Sequence, residues 1–193
     1  MIARGILLFA LALPALAQDP EWVARWEASQ RERPAAANLS PRSRIAPPSE
    51  PGEPLIVHGR VFQADGTTPV ADAIVFAYQT DAKGLYNAPG AKGWRLKGWA
   101  ISARDGSFEF TTIRPAPYPS NTLPAHIHFG VEGGGVPRQW TPELRFEDDA
   151  LLSGAMREAA HKEGKFGDVR PVRREGKIQH VEFNIHAKTS ADF

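Results

Sequence analysis

Two histidines separated by one residue are the most distinctive chemical feature of this sequence. They are His126 and His128, in the run Pro124–Phe129 (PAHIHF), whose residue types favour a β-strand. Because residues i and i+2 of a strand point to the same face, both imidazoles can bind one metal ion while Ile127 points into the core. The alternative is a half-exposed strand whose polar face simply carries two histidines.

Tyrosines elsewhere in the chain strengthen the metal interpretation. The sequence has three, Tyr78, Tyr86 and Tyr118. Tyr86 lies in a loop predicted after a strand, and Tyr118 lies in the proline-rich loop Arg114–Pro119 (RPAPYP). Two tyrosinates and two imidazoles form a ligand set suited to Fe(III). A ferric ion would also lower the pKa of both phenols enough to ionise them at neutral pH.

The composition excludes other kinds of site. The 193 residues include no cysteine, which rules out disulfides, thiolate zinc sites, iron–sulfur clusters and cysteine nucleophiles. Any metal must therefore be held by nitrogen and oxygen atoms. The formal net charge of +1 predicts no general attraction to nucleic acid. A hydrophobic fraction of 42% with 23% charged residues is typical of a globular protein.

Residues 1–17 are predicted to form a secretory signal peptide. They contain one positive charge at Arg4, an apolar run from Ile6 to Leu13, and the tripeptide Ala15–Ala17 (ALA), which is typical of a cleavage site. The apolar run is shorter than the roughly 20 residues that span a bilayer. We therefore expect export to the periplasm or the medium, with cleavage near Ala17, and no membrane span.

Residues 18–54 are predicted to form a short helix followed by a tether. The helix is expected over Asp19–Arg33, with Pro20 at a first helical position. Six prolines then occur between residues 34 and 54, which indicates an extended segment with little secondary structure. The domain proper is predicted to cover residues 55–193.

Short strands separated by turns dominate residues 55–193. Strands are expected over 55–62, 73–79, 98–102, 107–113, 125–131, 143–146 and 178–187. A hairpin is expected at the turn Arg104–Gly106. One helix is predicted from Asp148 to Lys162, capped by Asp148 or Asp149. This spacing favours an all-β fold, an antiparallel β-sandwich.

Taken together, these motifs resemble the intradiol ring-cleavage (aromatic) dioxygenases, and most closely the protocatechuate 3,4-dioxygenase type. The resemblance covers residues 55 to 146 and the final strand. The matching segments follow the order of the family, and they are Gly59–Val61, Pro69–Val75, Gly84–Tyr86, Asp105–Phe110, Thr112–Pro119 and Pro124–Phe129.

The resemblance implies a cofactor, a ligand set and a reaction. The cofactor is a non-haem Fe(III) ion, and its ligands are Tyr86, Tyr118, His126 and His128, with Tyr118 and His128 as the axial pair. A catechol-type substrate displaces Tyr118 and reacts with O2 to give a cis,cis-muconate-type product, which makes both tyrosines catalytic. The resemblance is compatible with a homo-oligomer, while the net charge of +1 gives no reason to expect a nucleic-acid partner.

The predicted substrate pocket departs from the family at three positions. Leu123 stands where the family usually has an arginine, Glu143 where it often has glutamine, and Tyr78 where it often has tryptophan. The missing arginine removes a cation from the region where charge develops in the transition state. Arg145 or Arg138 is the hypothetical replacement cation.

Two functions from different classes follow from these observations. The first is an exported Fe(III)-dependent intradiol dioxygenase. The alternative is a non-catalytic exported β-sandwich that binds a carbohydrate, a peptide or a partner, with a vestigial metal site. The presence of all four ligand types favours the enzyme, whereas Leu123 favours the binding module.

Overall fold

The computed structural model describes residues 20–88, 91 and 93–192, apart from the side chains of residues 20–22. The predicted signal peptide, residues 1–17, lies outside the described residues and stays a prediction. Among the residues described, no helix combines the length and the hydropathy needed to cross a membrane.

The described residues form two α-helices, two single-turn 3-10 helices (Ala36–Asn38 and Gly164–Phe166) and twelve strands. The helices are α1 (Pro20–Gln30) and α2 (Gly154–Lys162). The strands are β1 (Arg42–Arg44), β2 (Pro54–Phe62), β3 (Ile74–Gln79), β4 (Leu96–Ile101), β5 (Ser107–Ile113), β6 (His126–Gly133), β7 (Val136–Trp140), β8 (Leu144–Phe146), β9 (Val169–Arg170), β10 (Arg173–Glu175), β11 (Ile178–Glu182) and β12 (Ile185–His186).

These strands build two six-stranded sheets. The first sheet has the order β1-β5-β2-β11-β10, with β12 also paired to β2. The second has the order β4-β3-β6-β8-β9, with β7 also paired to β6. The predicted sandwich is confirmed, but it is mixed, because β1–β5, β2–β11, β2–β12 and β8–β9 are parallel pairs.

The hydrophobic core lies between the two sheets. Alternate residues of each strand point inward, so Val57 of β2 and Ile127 of β6 are both fully buried. The ring of Phe129 links the layers, with its centroid 6.2 Å from that of Phe110 and 4.9 Å from that of Phe183. The other face of β6 is therefore free to carry the two histidines.

The hairpin predicted at Arg104–Gly106 is wrong. The turn itself is tight, because the Gly106 amide donates to the Ala103 carbonyl at 2.8 Å. The strands on either side nevertheless part, since β4 pairs with β3 in the second sheet and β5 pairs with β2 in the first. A turn signal specifies a reversal of the chain, but it does not specify the partner of each strand.

The N-terminal segment packs against the sandwich. The helix ends at Gln30, before the predicted Arg33, and buries Trp26 against the second sheet. In the proline-rich region, β1 pairs with β5, and Ile45 and Ala46 are buried in the core. The predicted boundary at residue 55 therefore does not mark where packing begins, because an extended chain can still pair at a sheet edge.

The second helix also begins later than predicted. It starts at Gly154, and the Ser153 hydroxyl caps it by accepting a hydrogen bond from the Met156 amide at 3.2 Å. Asp149 is not the cap. Its buried carboxylate accepts hydrogen bonds from the amides of Ala125 and Leu151, both at 2.8 Å. The predicted final strand is divided into β11 and β12.

Candidate metal centre

Four side-chain donor atoms from three parts of the chain meet at one point. Tyr86 Oη lies 2.6 Å from Tyr118 Oη and 2.8 Å from His128 Nε2. His126 Nε2 lies 3.0 Å from Tyr118 Oη and 3.1 Å from His128 Nε2. The four atoms form a closed ring, so the structure brings together all four residues that the sequence predicts as ligands.

Strand β6 and its neighbour β3 position the histidines. Tyr78 of β3 is directly opposite His128 in the register, and cross-strand neighbours share a face of the sheet. The rings of Tyr78 and His128 stack, with centroids 4.4 Å apart and planes 7° apart. Trp94 stacks on the Tyr78 ring at 3.7 Å. Tyr78, predicted as a pocket residue, is thus buried and packs flat against the His128 ring, which restricts the plane of that imidazole.

The loop after β3 delivers Tyr86. The Asp81 carboxylate organises this loop by accepting hydrogen bonds from the amides of Lys83 at 2.8 Å and Leu85 at 3.0 Å. Burial alone would raise the pKa of Asp81, but these hydrogen bonds and the charge of Arg95 hold it below the usual range. The tight turn places the Tyr86 ring beside the histidines.

The segment between β5 and β6 delivers Tyr118 and sets the start of the histidine strand. One of its links to the Tyr86 loop is a hydrogen bond from the Ala116 amide to the Asp81 carbonyl at 3.0 Å. At its other end, Asp149 holds the amide of Ala125, the residue before His126. Sequence reasoning missed this role of Asp149, because an acidic pair before a helix is also the usual signal for a cap.

Hydrogen bonds at the far side of each imidazole indicate which nitrogen faces the ring of donors. His126 Nδ1 lies 2.7 Å from the Pro124 carbonyl oxygen, which can only accept, so Nδ1 carries the proton. His128 Nδ1 lies 3.1 Å from Glu143 Oε1. Burial would raise the pKa of Glu143, but the hydrogen bond from His128 and the nearby positive charge of Arg145 hold it below its usual range. In the neutral imidazoles, both Nε2 atoms therefore present lone pairs to the centre.

The four donor atoms do not carry enough protons for each of their four short contacts to be a hydrogen bond. The two phenol protons can form hydrogen bonds in only two of these contacts, so in the other two contacts lone pairs face each other. Burial raises the pKa of Tyr86 and of Tyr118 and lowers the pKa of His126, which disfavours charged side chains without a cation. Neighbouring donor atoms of the ring lie 2.6 to 3.1 Å apart, which is close enough for all four to reach one ion. The residues present therefore fit a ferric ion.

Glu143 and Arg145 lie on the side of His128 that faces away from the two tyrosines. Donor atoms of His126, His128 and Glu143 lie within 4.8 Å of one another, but Glu143 approaches the Nδ1 side of His128, away from the tyrosines. The Arg145 guanidinium pairs with Glu143 at 2.6 Å and with Asp168. The Arg145 guanidinium is thus already paired with these two carboxylates, which does not support a role for it as the replacement cation.

The remaining predicted pocket residue, Leu123, and the second candidate cation, Arg138, have different surroundings. Leu123 lies in the loop between Tyr118 and His126 and is 49% exposed. The Arg138 guanidinium lies over the Trp26 ring, 5.0 Å from its centroid, where α1 packs. This contact does not support a role for Arg138 as the replacement cation.

Comparison with known proteins decides the family. The chain is 33% identical over 125 residues to catechol 1,2-dioxygenase 1 of Acinetobacter lwoffii, covering 54% of this chain and 40% of that protein. It is 30% identical over 114 residues to the protocatechuate 3,4-dioxygenase beta chain of Burkholderia cepacia, covering 53% and 48%. The family model described as "Dioxygenase" matches residues 31–188. The chain belongs to the intradiol dioxygenase family.

Solved structures share the intradiol dioxygenase fold. The dioxygenase domain of a dioxygenase carbohydrate-binding protein fusion from Streptomyces sp. SirexAA-E is 26% identical, with a TM-score of 0.59 over 79% of this chain and 91% of that one. The 3-chlorocatechol 1,2-dioxygenase of Rhodococcus opacus is 21% identical, with a TM-score of 0.58 over 75% and 64%. The chain spans less than half the length of the two curated relatives above.

Proposed function

We propose that this protein is an Fe(III)-dependent dioxygenase that cleaves a catechol-type aromatic between its two hydroxyl-bearing carbons, using O2. The product is of the cis,cis-muconate type. The observation that carries the proposal is the closed ring of donor atoms from Tyr86, Tyr118, His126 and His128. These residues occur in the family's order, in a chain that belongs to the family.

The side chains would have different roles in such a site. A ferric ion held by the four donors would supply Lewis acidity, a template for both catechol oxygens and an acceptor of electron density. Tyr118 Oη receives one of the protons that the catechol gives up. Tyr86 stays in place, and the two histidines keep Nε2 aimed at the centre because Pro124 and Glu143 hold Nδ1.

We further propose that the substrate is a neutral catechol, not a carboxylated one. Leu123 and Leu85, which precede the histidine strand and Tyr86 respectively, are 49% and 43% exposed. Apolar side chains at these positions suit an apolar substituent. The Arg145 guanidinium is already paired with Glu143 and Asp168 and so is poorly placed to receive a carboxylate.

Ferric loading followed by oxygen uptake tests the proposal. We expect tyrosinate-to-iron charge transfer to colour the loaded protein red-brown, a catechol to shift that absorption, and O2 consumption to accompany a ring-opened product. A colourless protein that consumes no oxygen with a panel of catechols would favour the non-catalytic binding module instead.

We also propose that the protein is exported, on the pattern of residues 1–17. N-terminal sequencing of the protein from fractionated cells and from the medium tests this. A start near Gln18 in the periplasm or medium supports export, and an uncleaved cytoplasmic chain contradicts it.

A further inference from the structure

A line of charged side chains leads from His128 away from the centre. His128 Nδ1 lies 3.1 Å from Glu143 Oε1, and Glu143 Oε2 lies 2.6 Å from the Arg145 guanidinium. Arg145 also pairs with the Asp168 carboxylate. The backbone reinforces this line, because the Arg145 amide donates to the Asp168 carbonyl at 2.7 Å. Glu143 is therefore held between two donors.

We propose that Glu143 is a positioning residue that keeps His128 in the tautomer with the proton on Nδ1, so that Nε2 offers its lone pair to the metal. Arg145 and Asp168 hold the Glu143 carboxylate in place for this task. The inference rests on the proposed function, because it takes His128 as an iron ligand. A carboxylate at the far nitrogen also increases the basicity of a ligating imidazole.

A carboxylate suits this position better than an amide would. Glu143 meets two donors, His128 Nδ1 and the Arg145 guanidinium, with a separate oxygen for each. A glutamine has one oxygen, so its amide nitrogen would face one of these donors. If that nitrogen faced His128 Nδ1, its proton would favour the opposite tautomer and place hydrogen on Nε2. The three charged side chains are 21–32% exposed, so solvent screens them less than a surface pair.

The stack with Tyr78 and the hydrogen bond with Glu143 have different effects on His128. The Tyr78 ring lies flat on the imidazole, which restricts the plane of His128. An aromatic face does not distinguish the two nitrogens of the ring. The choice of tautomer is therefore made by the hydrogen bonds at the two nitrogens, with Glu143 accepting at Nδ1 and the Tyr86 hydroxyl close to Nε2.

The test compares Glu143→Gln with Glu147→Gln in the full-length protein. The control makes the same chemical change at an exposed residue four positions along the chain. In the iron-free proteins, 15N NMR should show the Nδ1–H tautomer of His128 in the wild type and in Glu147→Gln. It should show gain of the Nε2–H form in Glu143→Gln. After ferric loading, a chelator should remove iron about 10- to 100-fold faster from Glu143→Gln.

A second variant keeps the test possible if Glu143→Gln does not fold. Asp168→Asn keeps the backbone hydrogen bond to Arg145 but weakens the ion pair that holds the Arg145 guanidinium. It should shift the His128 tautomer and the rate of iron release in the same direction as Glu143→Gln, by a smaller amount. An unchanged His128 tautomer in the folded Glu143→Gln protein would overturn the inference, whatever the rate of iron release. The tautomer is read without iron, so it decides this inference even if the wild type proves inactive and the proposed function fails.

Discussion

A methyl group on Gly84 would lie 2.0 Å from the carbonyl oxygen of Pro117. The loop that carries Tyr86 therefore contacts the loop that carries Tyr118 backbone to backbone, which a side chain at residue 84 would prevent. Gly84 also has a φ of +77°, a conformation that favours glycine. This close approach allows the two phenol oxygens to lie 2.6 Å apart.

Replacing Gly84 with alanine should separate the two ligand loops and remove most ferric binding. Gly135 is a matched control, because its φ is +84° and a methyl group there would meet nothing within 4 Å. Alanine in the left-handed region costs about 1–2 kcal/mol at either position. Thermal unfolding should therefore detect a loss in both variants, whereas the charge-transfer absorption should fall only in Gly84→Ala. Equal iron contents in the two variants would contradict the contact argument.

Tyr86→Phe should lose part of the charge-transfer absorption of the ferric protein, because one of the two phenolate donors is removed. The matched control is Tyr78→Phe, which keeps the ring stacked on His128 and should retain the absorption. Visible spectra at equal iron content make the comparison. An unchanged spectrum in Tyr86→Phe would mean that Tyr86 is not a ligand.

Iron loading should release protons from the tyrosines. Burial raises the pKa of both Tyr86 and Tyr118 above that of an ordinary phenol, so both are protonated at neutral pH without iron. Ligation removes these protons, so ferric affinity should increase as the pH rises. With the same iron source in a pH-stat, the wild type should release about one proton more per iron than Tyr86→Phe. Identical release by the two proteins would rule out ionisation of Tyr86.

Leu123→Arg should shift the substrate preference toward carboxylated catechols. An exposed ion pair is worth up to about 1 kcal/mol, so the ratio of kcat/KM for a carboxylated catechol to that for a neutral one should increase several-fold. The control is Ile178→Arg, which introduces the same charge at an exposed apolar position of the first sheet. A similar ratio in both variants and the wild type would place residue 123 outside the pocket.

Local sequence patterns predicted most strands of the core but not their partners. Alternation of apolar residues marks β2 and β5 correctly, since each strand buries one face. The turn between β4 and β5 looks the same locally whether it joins one sheet or crosses between two. Strands such as β1 and β10 carry mainly polar residues and so lack an apolar pattern that marks them.

The sequence by itself determined which donor types are available: two imidazoles on one strand face and two phenols in loops, with no thiolate to compete. Only the tertiary structure decided that these donors form one closed ring. It also decided that Glu143 supports His128 and that Asp149 holds Ala125. These contacts join residues whose separation in sequence carries no periodic signal. They exist because the packing of two sheets and two loops brings them within hydrogen-bond distance.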